Sequence, residues 1–370
     1  MNVFDYLHWR GDIPFKAAPF NEVDNVILSQ LPYLDWHGAV GKRPVPFEKA
    51  WEAYRRLHGS EPRKPGGLMQ HREQITEQAL ASARFHDMML QDYVYDLKPE
   101  EEKQFCAMTF KLPDGTYFVS YEGTDATLVG WKENFNMSFL CPVPAQQEAA
   151  DYLAQLSQDH PFRFFRVGGH SKGGNLAYYA AVALGKPDQI LVVYSDDGPG
   201  FSEAFVQSAP YQQIAGKMVT FMPQSSIVGK LLNNDSHIQN ILSDSRDYLW
   251  QHDVFTWQVD VDKLVRVEDP TLSSKFIQEA LNGWNNEMTF EEKMVFMNTV
   301  YDALTETGID TLHDIDGHRM EITRKLMGSL SQFSDSTRDI LTKVVALLFQ
   351  SNLRSFKDHY IDGFLNSFKK

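Results

Sequence analysis

Phe162-Arg163-Phe164-Phe165-Arg166-Val167-Gly168-Gly169-His170-Ser171-Lys172-Gly173-Gly174-Asn175 is the stretch that decides the fold. Its aromatic and β-branched residues up to Val167 predict a strand. Downstream, Leu176, Ala177, Ala180, Ala181 and Leu184 recur at helical spacing. Between strand and helix lies Gly169-His170-Ser171-Lys172-Gly173, a Gly-x-Ser-x-Gly pattern. Such a pattern lifts a serine to the apex of a sharp strand-to-helix turn. The turn strains the backbone at the serine. The residues two before and two after it must lack bulk, so that strand and helix can pass closely.

Working outward, strands and helices alternate. Phe105 to Phe110 and Tyr117 to Tyr121 read as two strands joined by a hairpin turn at Asp114-Gly115. Ala145 to Leu156 reads as a helix leading into the serine strand. Ile190 to Tyr194 is continuously apolar, as a strand buried on both faces must be. Lys217 to Met222 is a further strand. This alternation predicts an α/β fold: a mainly parallel central sheet covered by helices on both faces. Upstream, helices are expected near residues 6–11, 23–31, 46–57 and 73–90, with a Pro- and Gly-rich loop over 60–67. From about residue 262 no strand pattern appears, and helices are expected near 273–283, 289–305, 319–332 and 335–356. Thr289 and Glu292 have the spacing of a capping box. The expected organisation is an N-terminal helical segment over 1–74, an α/β core over 75–261 and a helical C-terminal extension over 262–370. The amphipathic stretch near 335–356 suits an oligomer contact or a cover over a pocket.

The chain has 370 residues, enough for a substantial core. A formal net charge of -14 argues against nucleic acid as a partner, because binding phosphates needs a basic surface. It argues in the same direction against anionic membranes. Cys106 and Cys141 form neither a disulfide framework nor a metal cluster, and both are expected as reduced core cysteines. No basic segment followed by an apolar run opens the sequence, and no 18-residue apolar stretch occurs. A cytoplasmic protein without a transmembrane segment is expected. No histidine or carboxylate set has metal-ligand spacing, so neither metal nor cofactor is expected.

A serine hydroxyl is a weak nucleophile at neutral pH and needs a base, usually a histidine, oriented by a carboxylate. Catalytic groups gather at the carboxyl ends of parallel strands. The strand after the serine ends in Tyr194-Ser195-Asp196-Asp197-Gly198-Pro199-Gly200. Asp197 is the first candidate for the acid and Asp196 the second. The next strand ends in Gln224-Ser225-Ser226, without a carboxylate, and Asp235 sits in a loop of turn-forming residues. For the base, His252 lies among Tyr248, Trp250, Phe255 and Trp257, and His237 is the alternative. His170 stands on the wrong side of the elbow to serve Ser171 as a base and reads as a packing or substrate-contact residue. Other histidines, such as His313, His318 and His359, read as surface helix residues. An oxyanion hole needs two backbone N–H groups. Lys172, next to the serine, offers one. Thr124, in the loop Tyr121-Glu122-Gly123-Thr124-Asp125, offers the other and adds a hydroxyl.

Together these residues resemble a known group. The Ser171 elbow resembles that of α/β-hydrolases. Gly-His-Ser-Lys-Gly-Gly-Asn-Leu-Ala, with the upstream Gly-Thr-Asp and Trp131, is similar to the core of class-three (fungal-type) lipases over about residues 75–258. The opening Phe4-Asp5-Tyr6, Asn21-Glu22-Val23-Asp24, the elbow and Asp197-Gly198-Pro199-Gly200 resemble a bacterial lipase-like family of unknown function. The resemblance implies an α/β-hydrolase fold and a serine esterase acting on a small-molecule or lipid ester. The departure is at Gln224-Ser225-Ser226, where class-three lipases place their acid. Either the acid has moved one strand earlier, to Asp197, or the triad is degraded and the fold binds a ligand or partner without turnover.

Overall fold

The computed structural model describes residues 1–59, 68–125, 127–226, 228–234, 237–245, 250–268, 289–308, 315–328 and 338. Eight strands form one sheet: β1 (Val45–Pro46), β2 (Met89–Lys98), β3 (Lys103–Lys111), β4 (Tyr117–Tyr121), β5 (Phe165–His170), β6 (Ile190–Asp196), β7 (Met218–Pro223) and β8 (His237–Ile241). They lie side by side in chain order. From β1 to β4 neighbours are antiparallel; from β4 to β8 they are parallel. The main helices are α1 (Val3–Arg10), α2 (Glu22–Leu28), α3 (Phe47–His58), α4 (Leu68–Ala81), α5 (Leu128–Asn136), α6 (Pro144–Asp159) and α7 (Lys172–Leu184).

The strand order explains where the helices must go. Parallel crossovers are right-handed, so a sheet that always steps in one direction places its crossover helices on the same face. There, Leu153, Leu176, Ala177 and Ala180 pack with Val119, Phe165, Val167 and Val193. The opposite face needs another cover, and the N-terminal helices supply it. Val3, Val26, Ile27, Phe47 and Tyr54 pack with Met108, Phe110, Phe118, Tyr194 and Phe221. Alternate residues of one strand therefore belong to different cores, as a pleat requires: Tyr117, Val119 and Tyr121 face one, Phe118 the other. Val254, Phe255, Trp257, Val259 and Leu264 return to join the N-terminal side. Asn2 and Asn21 cap α1 and α2, each in a box with an aspartate three residues on.

Four expectations are corrected. The helix expected to reach Leu90 ends at Ala81, and Met89–Lys98 is a strand paired with β3. Asp92 adopts a positive φ of 55° and the register shifts between Gln91 and Val94. This bulge breaks the two-residue alternation by which a strand is recognised. The serine strand starts at Phe165, because Phe162 and Phe164 are exposed. β8 is an edge strand, and Lys263–Leu264 pairs with Val259–Asp260 in a short hairpin just past residue 262. Cys106 is buried as expected, whereas Cys141 is exposed.

The helix Phe290–Thr305 carries the expected box: Thr289 Oγ1 accepts from Glu292 N at 3.2 Å, and Glu292 Oε2 accepts from Thr289 N at 2.9 Å. It lies against α5, with Phe296 at 5.9 Å from Phe135 between ring centroids and Lys132 Nζ 4.3 Å over the Tyr301 ring. A further helix spans Ile315–Gly328. The loop over 60–67, the helices expected near 273–283 and 335–356 (save residue 338), Asp235, His313 and His359 lie outside the described residues. No helix among the described residues is long and apolar enough to cross a membrane.

Candidate functional site

Ser171 stands at the carboxyl end of β5 with φ 59° and ψ -131°, a strained conformation for a residue with a side chain. The flanking glycines make that turn possible. A Cβ on Gly169 would lie 2.5 Å from the Tyr121 carbonyl oxygen, and one on Gly173 would collide with the same atom. The Ser171 N–H donates to Asp196 O at 2.9 Å, tying the elbow to β6.

Asp196 ends β6, Asp197 follows it, and their side chains turn in opposite directions. Asp196 faces the N-terminal helices, where Asn25 Nδ2 donates to its Oδ1 at 2.7 Å. Burial pushes its pKa up to about 7. Asp197 leaves the strand with φ 54°, its N–H donating to Phe221 O at 2.8 Å, and its buried carboxylate meets His252. His252 Nδ1 lies 2.7 Å from Asp197 Oδ2. The other partners of that carboxylate come from the end of β7. Ser226 Oγ lies 2.6 and 2.7 Å from its two oxygens, and Gly229 N donates to Oδ1 at 3.2 Å. The position that carries no acid thus carries a hydroxyl that holds the neighbouring strand's acid.

His252 ends a short 3-10 turn, Trp250–His252. Gln251 anchors that turn: its Oε1 accepts from Ser225 N at 2.8 Å, and its carbonyl accepts from Trp257 Nε1 at 2.8 Å. Of the aromatic neighbours named for His252, Trp257 thus anchors the loop, whereas Trp250 is exposed. The ring of His170 lies 4.4 Å from that of His252. His237, the alternative base, begins β8 opposite Val219, at the far end of the parallel strands from Ser171. The Ser171 hydroxyl makes no hydrogen bond to any described residue.

The loop after β4 approaches the serine from the other side. A Cβ on Gly123 would lie 3.0 Å from Ser171 Cβ and would collide with the Tyr33 hydroxyl. The Gly123 N–H donates to that hydroxyl at 2.9 Å. Thr124 follows, with its Oγ1 buried and without a partner among the described residues. Lys172 opens α7, where the first backbone N–H groups of a helix lack internal acceptors. Its side chain is wholly buried. Nζ donates to Gln104 O at 2.6 Å, to Gln104 Oε1 at 2.5 Å and to Glu133 Oε2 at 3.0 Å. Glu133 also accepts from Gln104 N and Ala145 N, so one carboxylate joins β3, α5, α6 and the elbow helix.

Sequence reasoning missed several of these groups. Tyr33 and Asn25 come from the N-terminal segment, and nothing local marks them. Ser226 was visible only as a missing carboxylate. Asn175 holds the Gly198-Pro199-Gly200 turn through bonds from Nδ2 to Pro199 O and Gly200 O, at 3.1 and 2.9 Å.

A mainly parallel sheet with a strained serine between β5 and α7 defines a protein of the α/β-hydrolase fold class. Within that class, the chain belongs to the Mbeg1-like family, whose model matches residues 79–302. No curated protein matches the chain in sequence. Among solved structures, the nonglycosylated LIP2 lipase of Yarrowia lipolytica aligns at 13% identity over 68% of this chain and 86% of that one, with a TM-score of 0.37. The M37 lipase aligns at 12% identity over 70% and 80%, with a TM-score of 0.36. A Rhizomucor miehei lipase propeptide complex aligns at 16% identity over 39% of this chain, with a TM-score of 0.31. That alignment spans about half of the Rhizomucor miehei chain, 51%.

Proposed function

We propose that the protein is a serine hydrolase of carboxylic esters, lipase- or esterase-like. The observation that carries this reading is the 2.7 Å contact between a buried Asp197 and His252, beside the strand that leads into Ser171. In this reading Ser171 Oγ attacks the ester carbonyl, and His252 Nε2 takes its proton. Asp197 holds the ring with its proton on Nδ1 and stabilises the imidazolium that forms. The N–H groups of Thr124 and Lys172 receive the developing oxyanion. His252 then returns the proton to the leaving alcohol, and water repeats the cycle on the acyl-enzyme. The two free cysteines, one of them exposed, suit a reducing compartment such as the cytoplasm. A small-molecule or lipid ester fits as substrate.

The test is labelling by a fluorophosphonate probe together with turnover of p-nitrophenyl butyrate. The wild-type chain should label and turn over, and Ser171→Ala should do neither. Equal labelling of both would remove Ser171 from the mechanism. A second reading, a hydrolase fold that binds a ligand without turnover, is favoured by one observation: the Ser171 hydroxyl has no hydrogen bond to a described residue. Catalytic hydrogen bonds are often loose before substrate arrives. A wild-type chain that neither labels nor turns over any ester in an acyl-length series would decide for the second reading.

A further inference from the structure

His170 and Tyr33 lie beside the reacting groups without a part in the chemistry above. Their hydrogen bonds can be assigned by donor accounting. His170 Nε2 lies 2.8 Å from the backbone carbonyl of His252. A carbonyl only accepts, so Nε2 carries a proton. Burial first, then the His252 ring beside it and the Arg72 charge, hold the His170 pKa well below the usual histidine range, so the ring is neutral. Nδ1 must then be an acceptor. The group facing it at 3.2 Å is the Tyr33 hydroxyl, which therefore donates. The His170 carbonyl, at 3.5 Å, is the more distant acceptor for the same hydroxyl. The hydroxyl oxygen in turn accepts from the Gly123 N–H at 2.9 Å.

The result is one directed chain behind the nucleophile: Gly123 N–H to Tyr33 O–H to His170 Nδ1, and His170 Nε2–H to His252 C=O. It starts in the loop that carries Thr124 and ends on the backbone of His252. It also occupies the Gly123 N–H, which leaves Thr124 to supply the N–H of the oxyanion loop. Both of its rings are packed from the side. The Arg72 guanidinium lies 3.7 Å over the Tyr33 ring, and Trp257 meets the His170 ring edge-on at 6.4 Å. Each link joins groups far apart in sequence, with 90, 137 and 82 positions between the partners.

We propose that Tyr33 and His170 are positioning residues that set the oxyanion loop and the base loop in register across Ser171. The proposal rests on the hydrolase reading for its kinetic consequence, and on the three contacts and a neutral His170 ring for its existence. Neither side chain touches substrate in this account. Their effect is on the distance between the donors that hold the oxyanion and the ring that moves the proton, a distance to which rate is steeply sensitive.

The experiment combines kinetics with nuclear magnetic resonance on the full chain. Tyr33→Phe keeps the ring under Arg72 and removes only the hydroxyl. It should lower kcat on p-nitrophenyl butyrate by roughly 10- to 100-fold with KM within about twofold. His170→Leu should do the same, and the double variant should be no slower than the worse single one, since both cut one chain. Wild-type kcat in Tyr33→Phe, or losses that multiply in the double variant, would overturn the proposal. If the wild-type chain turns nothing over, the hydrolase reading fails on its own, and the spectra judge the chain. They should show His170 as the neutral Nε2–H tautomer at neutral pH, and Tyr33→Phe should move the amide signals of both Gly123 and His252. An Nδ1–H tautomer, or an unmoved His252, would sink it.

Discussion

Asp197→Asn replaces one oxygen by an NH2 group, and the structure dictates which. Ser226 Oγ and Gly229 N both reach Oδ1, at 2.6 and 3.2 Å. Gly229 N is a donor and cannot face another donor, so the amide oxygen keeps the Oδ1 place. The NH2 group then takes the Oδ2 place, 2.7 Å from His252 Nδ1. An amide nitrogen only donates, which forces Nδ1 to accept and moves the ring proton to Nε2. In the proposed mechanism that is the nitrogen which must receive the serine proton. The base is blocked by its tautomer rather than lost, and the imidazolium has no counter-charge. The expected loss in kcat is about 10⁴-fold, or about 5.5 kcal/mol of barrier. Folding should change little, within about 1 kcal/mol, because both bonds to Oδ1 remain. Turnover of p-nitrophenyl butyrate and urea unfolding measure the two effects on the same preparation. Asp196→Asn is the control and should keep kcat within about threefold, since its carboxylate points to Asn25. A fully active Asp197→Asn, or an inactive Asp196→Asn with intact unfolding, would refute the tautomer argument.

Other outcomes follow from the same geometry. Ser226→Ala removes the hydroxyl from both oxygens of Asp197 and should lower kcat by about tenfold, the worth of a charge-assisted bond of roughly 1.5 kcal/mol; an unchanged kcat would show that Gly229 suffices. Asp196 has its folded pKa raised to about 7, so it favours the fold at low pH and loses that contribution as pH rises through the folded value. From pH 5 to 8 the wild-type chain should lose roughly 3 kcal/mol more than Asp196→Asn in urea unfolding, and parallel pH curves would contradict this. Lys172→Met leaves Glu133 buried without its cation and should cost about 3–5 kcal/mol. Adding Glu133→Gln should recover part of that loss; a cost under about 1 kcal/mol for Lys172→Met alone would mean that water reaches Glu133.

The elbow was readable because steric demands are local: two glycines at fixed offsets from a serine are a constraint within five residues. Ile190 to Tyr194 and the hairpin at Asp114-Gly115 were readable for the same reason. β2 was not, because the bulge at Asp92 removes the alternation that announces a strand. β8 was not, because an edge strand with exposed His237 and Ile238 has no apolar face to recognise. In the candidate site, the position of Asp197 at a strand end and the aromatic setting of His252 drew notice to two residues 55 positions apart. Which aspartate turns toward the histidine depends on the backbone after β6, where Asp197 takes a positive φ. Tyr33, Asn25 and Ser226 act through contacts that only the fold creates, and their types are ordinary at their positions.

The chain-order sheet also has a temporal meaning. The helices made first cover a face that is completed only by strands made much later. Asn25 waits for Asp196, 171 positions later, and Glu22 waits for Arg266, 244 positions later. During synthesis at about 5–20 residues per second, α2 therefore waits many seconds for the strands that complete the cover over Val23, Val26 and Ile27. Contacts of such long range form slowly. The nascent chain therefore carries an incompletely covered apolar helix face before the serine at the centre of its sheet has left the ribosome.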